Sequence, residues 1–145
     1  MVNVGDKPET LRRAVASAAV KMSPAAYAEV ADNTNKKGDV LAVARVAGLS
    51  GLKRTAELVP LCHPVRVVGS KVELSLDAAL PGVRVSATVE AFDRTGVEME
   101  AMMAASLAAL TVYDMVKGRD RGVEVQALRL EEKSGGRSGL WRRSP

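Results

Sequence analysis

The sequence predicts an α+β fold, an antiparallel sheet with helices packed on one face. Two stretches alternate apolar and polar residues with the period of a half-buried strand, and two others are apolar over most of a helical circumference and begin near capping residues. A length of 145 residues, 47% hydrophobic and 26% charged, suits one domain, residues 1–145, with a sizeable core.

Residues 10–22 are equivocal: their alanines favour a helix, whereas Arg12, Ala14, Ala16, Ala18 and Val20 alternate weakly, as in a strand. Ser23-Pro24 opens a short helix, with proline in the first turn, where its missing N–H costs nothing. "GDVLAVARVAGLSGLKRTAEL" begins a second helix at Asp39, and Gly48 and Gly51 weaken it while letting another backbone approach. From Val68 the even positions Val68, Ser70, Val72, Leu74 and Leu76 alternate against Lys71, Glu73, Ser75 and Asp77. After Pro81-Gly82 the odd positions Val83, Val85, Ala87, Val89 and Ala91 do the same, so the two runs read as a hairpin.

"TGVE" has the form of a capping box, Thr95 with Glu98, and opens "VEMEAMMAASLAALTVYDMVK", an alanine-rich helix buried on most sides. "VEVQALRLEE" starts as a strand, but its apolar stripe moves from odd (Val123, Val125) to even (Leu128, Leu130), which implies a bulge or burial on both faces. The glycine-, serine- and arginine-rich stretch after Lys133, from about residue 134, reads as a mobile tail. With residues 10–22 as a strand, the order βααββαβ makes a ferredoxin-like sandwich: a four-stranded antiparallel sheet, helices on one face, one helix added. With them as a helix, a three-stranded sheet lies under four helices. The first reading is preferred.

Twenty-one basic against 17 acidic residues leave a net charge of +4, which favours anionic partners without choosing among them. The aromatics, Tyr27, Phe92, Tyr113 and Trp141, are too sparse for the stacking platforms of single-stranded nucleic acid proteins. A phosphorylated small molecule is the expected ligand. One cysteine forms no internal disulfide, no signal-peptide pattern opens the chain, and no run approaches the roughly 18 apolar residues of a membrane span. A cytoplasmic setting without membrane contact is expected.

"LVPLCHP", residues 58–64, holds the only cysteine and the only histidine, Cys62 and His63. Sequence neighbours make a poor thiol–imidazole dyad, because in an extended chain they face opposite sides. A zinc site would lack further Cys or His ligands. A structural Cys62 beside a substrate-binding or proton-moving His63 is the reading left strongest. Glu98 and Glu100 sit in a first helical turn, where the dipole favours negative charge, so capping competes with a site role. Asp114 and Lys117, at i and i+3, form a surface ion pair or, held together in a pocket, an acid–base couple. "NKKGDV", with Lys36 and Lys37, and "KSGGRSG", with Lys133 and Arg137, could each take a phosphate, the first at a helix start and the second in a nest of amides. Neither is a Walker A loop.

Together "KKGDVLAVARVAGLSGLKRTAELVPLCHP", "RTGVEMEA", "TVYDMVK" and "EKSGGRSG" resemble the cyclic pyranopterin monophosphate synthase family, molybdenum cofactor biosynthesis protein C. The resemblance runs from the first residues to about Gly139, motifs in family order, and implies the ferredoxin-like fold with residues 10–22 as a strand. It implies a lyase that rearranges a cyclised dihydro-GTP to cyclic pyranopterin monophosphate with release of pyrophosphate. It assigns Asp114, Lys37 and Lys117 to catalysis, and Leu61, Cys62, His63, Glu98, Met99, Glu100 and Arg12 to the substrate, where the phosphate-binding candidate Lys133 is expected to join them. No metal or organic cofactor is implied. Asn3 stands where the family usually has aspartate, and Val116 where cysteine is common.

The resemblance also implies a homohexamer, a trimer of dimers. Glu100 and Asp114 are 114 − 100 = 14 residues apart, about 21 Å along one helix, too far to touch one ring within a chain. Sites shared between subunits are therefore expected. A nucleotide-sensing module without catalysis, or an RNA-binding protein using the basic tail, are the competing classes.

Overall fold

Valine and alanine, not aromatics, build the core, and their small side chains let the layers approach closely. The computed structural model describes residues 1–145. Its strands are β1 Thr10–Lys21, β2 Val67–Asp77, β3 Gly82–Asp93, β4 Glu124–Ser134 and β5 Trp141–Arg142; its helices are α1 Pro24–Ala31, α2 Val40–Leu52, α3 Thr55–Leu58 and α4 Glu98–Val116. One antiparallel sheet has the order β2-β3-β1-β4-β5. The helices pack on one side, α4 against β1, β3 and β4, and α2 against α4. The four long strands are the ferredoxin-like arrangement, and β5 extends the sheet.

Residues 10–21 form the central strand despite their alanines, because tertiary packing overrides helix propensity there. Ala14, Ala16, Ala18 and Val20 face the helices and are buried, as are Ala101, Ala104, Ala105 and Ala108 of α4. Small residues on both surfaces bring α4 onto the sheet. On its other side Gly48 and Gly51 admit α4: a Cβ at Gly48 would lie 2.9 Å from the Ala104 carbonyl oxygen, and one at Gly51 2.7 Å from Leu107 Cδ2. By length and composition α4 could cross a membrane, but it is the core helix of this fold, half buried within it.

The caps at Ser23 and Asp39 form as expected, their side chains accepting from the backbone N–H of Ala26 and Ala42. Four details differ from the sequence reading. The second helix ends at Leu52 and restarts as α3, where buried Thr55 donates its hydroxyl to the Leu52 carbonyl at 2.9 Å. Val68 is exposed, because a register shift between Val67 and Gly69 turns Val67 toward the core instead. The capping box at Thr95 does not form; α4 is capped by buried Val97, without a side-chain bond, and Glu98 turns to Lys133. Finally, the tail is structured. β5 pairs with β4, Arg142 reaches Glu132 at 2.7 Å, and the Arg143 N–H donates to the Glu131 carbonyl at 2.9 Å.

The moving stripe of β4 is explained by two register shifts against β1. One accompanies Ala127, whose φ of +50° is rare for a residue with a Cβ. The other skips Glu131, so that Glu132 lies opposite Val15 on the helix-free face and Lys133 opposite fully buried Ala14 on the helix face. Unbroken alternation would have sent Lys133 away from α4. A bulge re-aims this side chain.

Candidate active site

Two groups of charged side chains stand at opposite ends of α4. At its N-terminal end, a cavity of about 570 Å³ is lined by Lys7, Arg12, Arg13, Arg94, Lys133 and Arg137, with Glu98 and the glycines of the tail. Arg12 continues the helix-facing row of β1 and is held by the backbone carbonyls of Asp93 and Arg94, each at 3.2 Å. Lys133, brought round by the bulge, donates to Glu98 Oε1 at 2.8 Å. Gly135 and Gly136, at φ +98° and +69°, fold the tail over Arg12; a Cβ on Gly135 would strike the Leu11 carbonyl, and one on Gly136 the Arg12 guanidinium. Backbone shape calls for glycine at both positions, and at Gly135 space does too.

Of these six cations, Arg13 is paired with Glu132 and Glu90 and Lys133 with Glu98, and the other four leave a site for a multiply charged anion. Burial pushes the Glu98 carboxyl up, but the Lys133 ammonium, its own backbone N–H and the charge of Arg12 outweigh that, leaving it below its ordinary range.

Glu100, two residues on, is buried at 2% exposure. Cys62 Sγ lies 3.8 Å from its Oε1, while Oε2 has no partner within the chain. Desolvation raises the carboxyl's pKa, its own backbone N–H and Cys62 pull it down, and the charges of Glu98 and Asp93 raise it further. The net direction is upward. A carboxyl raised in the fold contributes no penalty below its unfolded pKa, where both states are protonated, and destabilises as pH climbs through the folded value. Glu100→Gln is thus expected to stabilise the fold at neutral pH, seen as a raised thermal midpoint, and to change little in acid. Unfolding midpoints across pH check this; an equal shift at all pH values would contradict it.

The same contacts bear on Cys62. Burial, then the charge and hydrogen bond of Glu100, push the thiol pKa up, so the thiolate needed for nucleophilic attack is disfavoured. Cys62→Ser is expected to keep substantial activity, as measured by product formation; complete inactivation of the folded variant would restore the nucleophile. His63 is half-buried next to it, its ring without a hydrogen bond inside the chain, and Leu61 and Met99 are exposed.

At the C-terminal end of α4, Asp114 accepts from Lys117 at 2.7 Å and from Lys37 at 2.8 Å. Hydrogen bonds from Lys117 and then Lys37 hold its carboxyl down at about 2, and Asp114 in turn raises Lys117. All three side chains are about half exposed in the subunit. The i, i+3 pair read from the sequence is therefore a trio, joined by a lysine 77 residues away.

The sequence-assigned residues thus fall into three groups: Arg12, Glu98 and Lys133 around the cavity, Cys62 with Glu100 beside it, and Lys37 with Asp114 and Lys117 about 21 Å along α4. No three of the His, Cys, Asp and Glu side chains converge as metal ligands. Sequence reasoning missed Lys7, Arg13 and Arg94 as cavity residues. Arg94 carried a signal, a basic residue just before the acidic helix start; Lys7 and Arg13 reach the cavity only through the fold. Of the two departures, Asn3 turns its side chain onto the Gly5 N–H at 2.8 Å, and Val116 is buried in the core.

The fold and this cavity define a ferredoxin-like α+β protein with a cation-lined pocket beside one buried carboxylate, Glu100. A family model described as MoaC family matches residues 1–136, and the chain belongs to that family. It is 54% identical over 144 residues, 99% of this chain and 91% of the relative, to a cyclic pyranopterin monophosphate synthase of Cereibacter sphaeroides strain ATCC 17029 / ATH 2.4.9. The same figures hold for the protein of that name in strain KD131 / KCTC 12085.

Proposed function

We propose that this chain is a cyclic pyranopterin monophosphate synthase of molybdenum cofactor biosynthesis. It takes 3',8-cyclo-7,8-dihydroguanosine 5'-triphosphate and releases pyrophosphate. The observation that carries this reading is the cation-lined cavity at the acidic start of α4. It offers charge for a triphosphate next to carboxylates that can face the ring.

Forming the cyclic phosphate joins a substrate hydroxyl oxygen to the α-phosphorus and breaks the α–β phosphoanhydride bond, whose electrons leave on pyrophosphate. The hydroxyl proton needs an acceptor, and the growing negative charge on the leaving group needs cations. Arg12, Lys133 and their neighbours serve the second requirement. The ring must also be opened and reclosed, which calls for proton donors and acceptors held beside it. Lys37, Asp114 and Lys117 serve here, with His63 beside the ring and Glu98, Met99 and Glu100 as its floor. These steps are proton transfers and bond exchanges, so side chains of this kind suffice for them.

One chain cannot bring both ends of α4 to one substrate. That separation calls for a second subunit, and the homohexamer, a trimer of dimers, that the family resemblance implies would let the Asp114 trio of one subunit complete the cavity of another. Half-exposed Lys37, Asp114 and Lys117, together with exposed Leu61, Val46 and Leu110, are the surfaces such an assembly would cover. Its setting is the cytoplasm, with a nucleotide-derived substrate and a free thiol.

The experiment is incubation of the assembled protein with the cyclised dihydro-GTP, following pyrophosphate and an oxidised, fluorescent pterin derivative. Stoichiometric appearance of both supports the assignment, and absence of both sinks it. RNA binding through the tail would require Arg142 and Arg143 to leave Glu132 and Glu131.

A further inference from the structure

The last turn of α4 holds four carbonyls, at Tyr113, Asp114, Met115 and Val116, for which the helix itself no longer supplies all the donors. The Tyr113 oxygen accepts from the Lys117 N–H at 2.9 Å, and the Val116 oxygen from the N–H groups of Arg119 and Asp120 at 2.9 and 3.1 Å. Side chains of the segment before α2 take the other two. Lys37 Nζ donates to the Asp114 oxygen at 2.9 Å, and Asn35 Nδ2 to the Met115 oxygen at 3.1 Å. Asn35 Oδ1 meanwhile accepts from the backbone N–H of Lys37 at 2.9 Å. Its amide can face only one way, with NH2 toward a carbonyl and oxygen toward an N–H.

One half-buried side chain thus ties the backbone of Lys37 to the helix end that carries Asp114. Lys37 itself is a long, half-exposed side chain with many rotamers, so the ammonium stays near Asp114 only if its Cα is fixed. Around it the chain bends sharply, with positive φ at Asn33 and Gly38, and α2 begins only at Val40. Apart from the Lys37 ammonium itself, Asn35 is the one side chain of this bend hydrogen-bonded to α4.

We propose that Asn35 is a positioning residue, which sets Lys37 in register with Asp114 and Lys117 by bridging the Met115 carbonyl and the Lys37 N–H. The inference rests on the reading of Lys37 and Asp114 as reacting groups, and the test separates the two. Asn35→Ala removes both bonds. Asn35→Ser keeps an oxygen able to accept from the N–H two residues on, but is too short to reach Met115.

In the assembled enzyme, kcat and KM for the cyclised dihydro-GTP are measured alongside the titration of the Asp114 carboxyl by carbon NMR. Asn35→Ala is expected to lower kcat roughly ten- to a hundredfold, the cost of a misplaced reacting group. KM stays within about twofold, and the Asp114 titration rises from about 2 as Lys37 drifts away while Lys117 remains. Asn35→Ser should show the same changes, less completely. Parental kcat and titration in Asn35→Ala, with Lys37→Ala inactive, would overturn the role of Asn35 and leave the reaction assignment standing. A fall in kcat without movement of the Asp114 titration, or full parental behaviour of Asn35→Ser, would overturn it too. An active Lys37→Ala enzyme would instead remove Lys37 from the reaction, while the carboxyl titration would still report whether Asn35 holds it.

Discussion

Lys37→Ala and Lys117→Ala will each fold as the parent does and lose nearly all turnover. Folding should survive because both side chains are half exposed in the subunit, and exposed ion pairs are screened and add little. Turnover should not, because each lysine donates directly to Asp114, and no neutral side chain supplies a cation or an exchangeable proton at that place. Removing either one leaves the carboxylate with one lysine, so the titration of Asp114 should rise from about 2 in both variants. Thermal unfolding, product formation and that titration together check the prediction. A folded variant whose rate falls by less than about tenfold, roughly 1.4 kcal/mol of barrier, would remove that lysine from the chemistry.

Most of the fold was legible because hydrophobic period and capping chemistry act locally. The hairpin alternation, the caps at Ser23 and Asp39 and the small-residue faces of α2 and α4 are properties of neighbouring residues, and each appears in the structure, the alternation displaced only at Val68. What the sequence left open depended on partners far along the chain. Residues 10–21 become a strand because β3 and β4 flank them and alanines of α4 cover them. Thr95 and Glu98 look like a reciprocal cap, but Lys133, 35 residues on, competes for Glu98 and wins. The tail, flexible by composition, is held by Glu131 and Glu132 across the last strand pair.

The site divided in the same way. Asp114 and Lys117 were visible as a helical pair, whereas Lys37 joins them only through the fold, and Asn35 gave no local sign of its role. Lys133 was legible as a phosphate-binding candidate beside the tail glycines; the bulge at Glu131 is the physical reason it reaches the helix face. Arg12 likewise gains its setting from carbonyls at the end of β3.

The account stands or falls on one site being built from the two ends of α4 in different subunits. Glu100 and Asp114 lie 14 residues apart on one continuous helix of 19, about 21 Å along its axis, a distance that one chain does not close. Glu100→Gln and Asp114→Asn proteins, each inactive alone, should therefore recover activity when mixed under conditions that exchange subunits. Some interfaces then receive Glu100 from one chain and Asp114 from the other. In a random equal mixture, about a quarter of sites built from two chains would carry both, given independent assortment of subunits. Recovered pyrophosphate release approaching that fraction is the expected result. No recovery, with exchange demonstrated independently, would contradict a site shared between subunits.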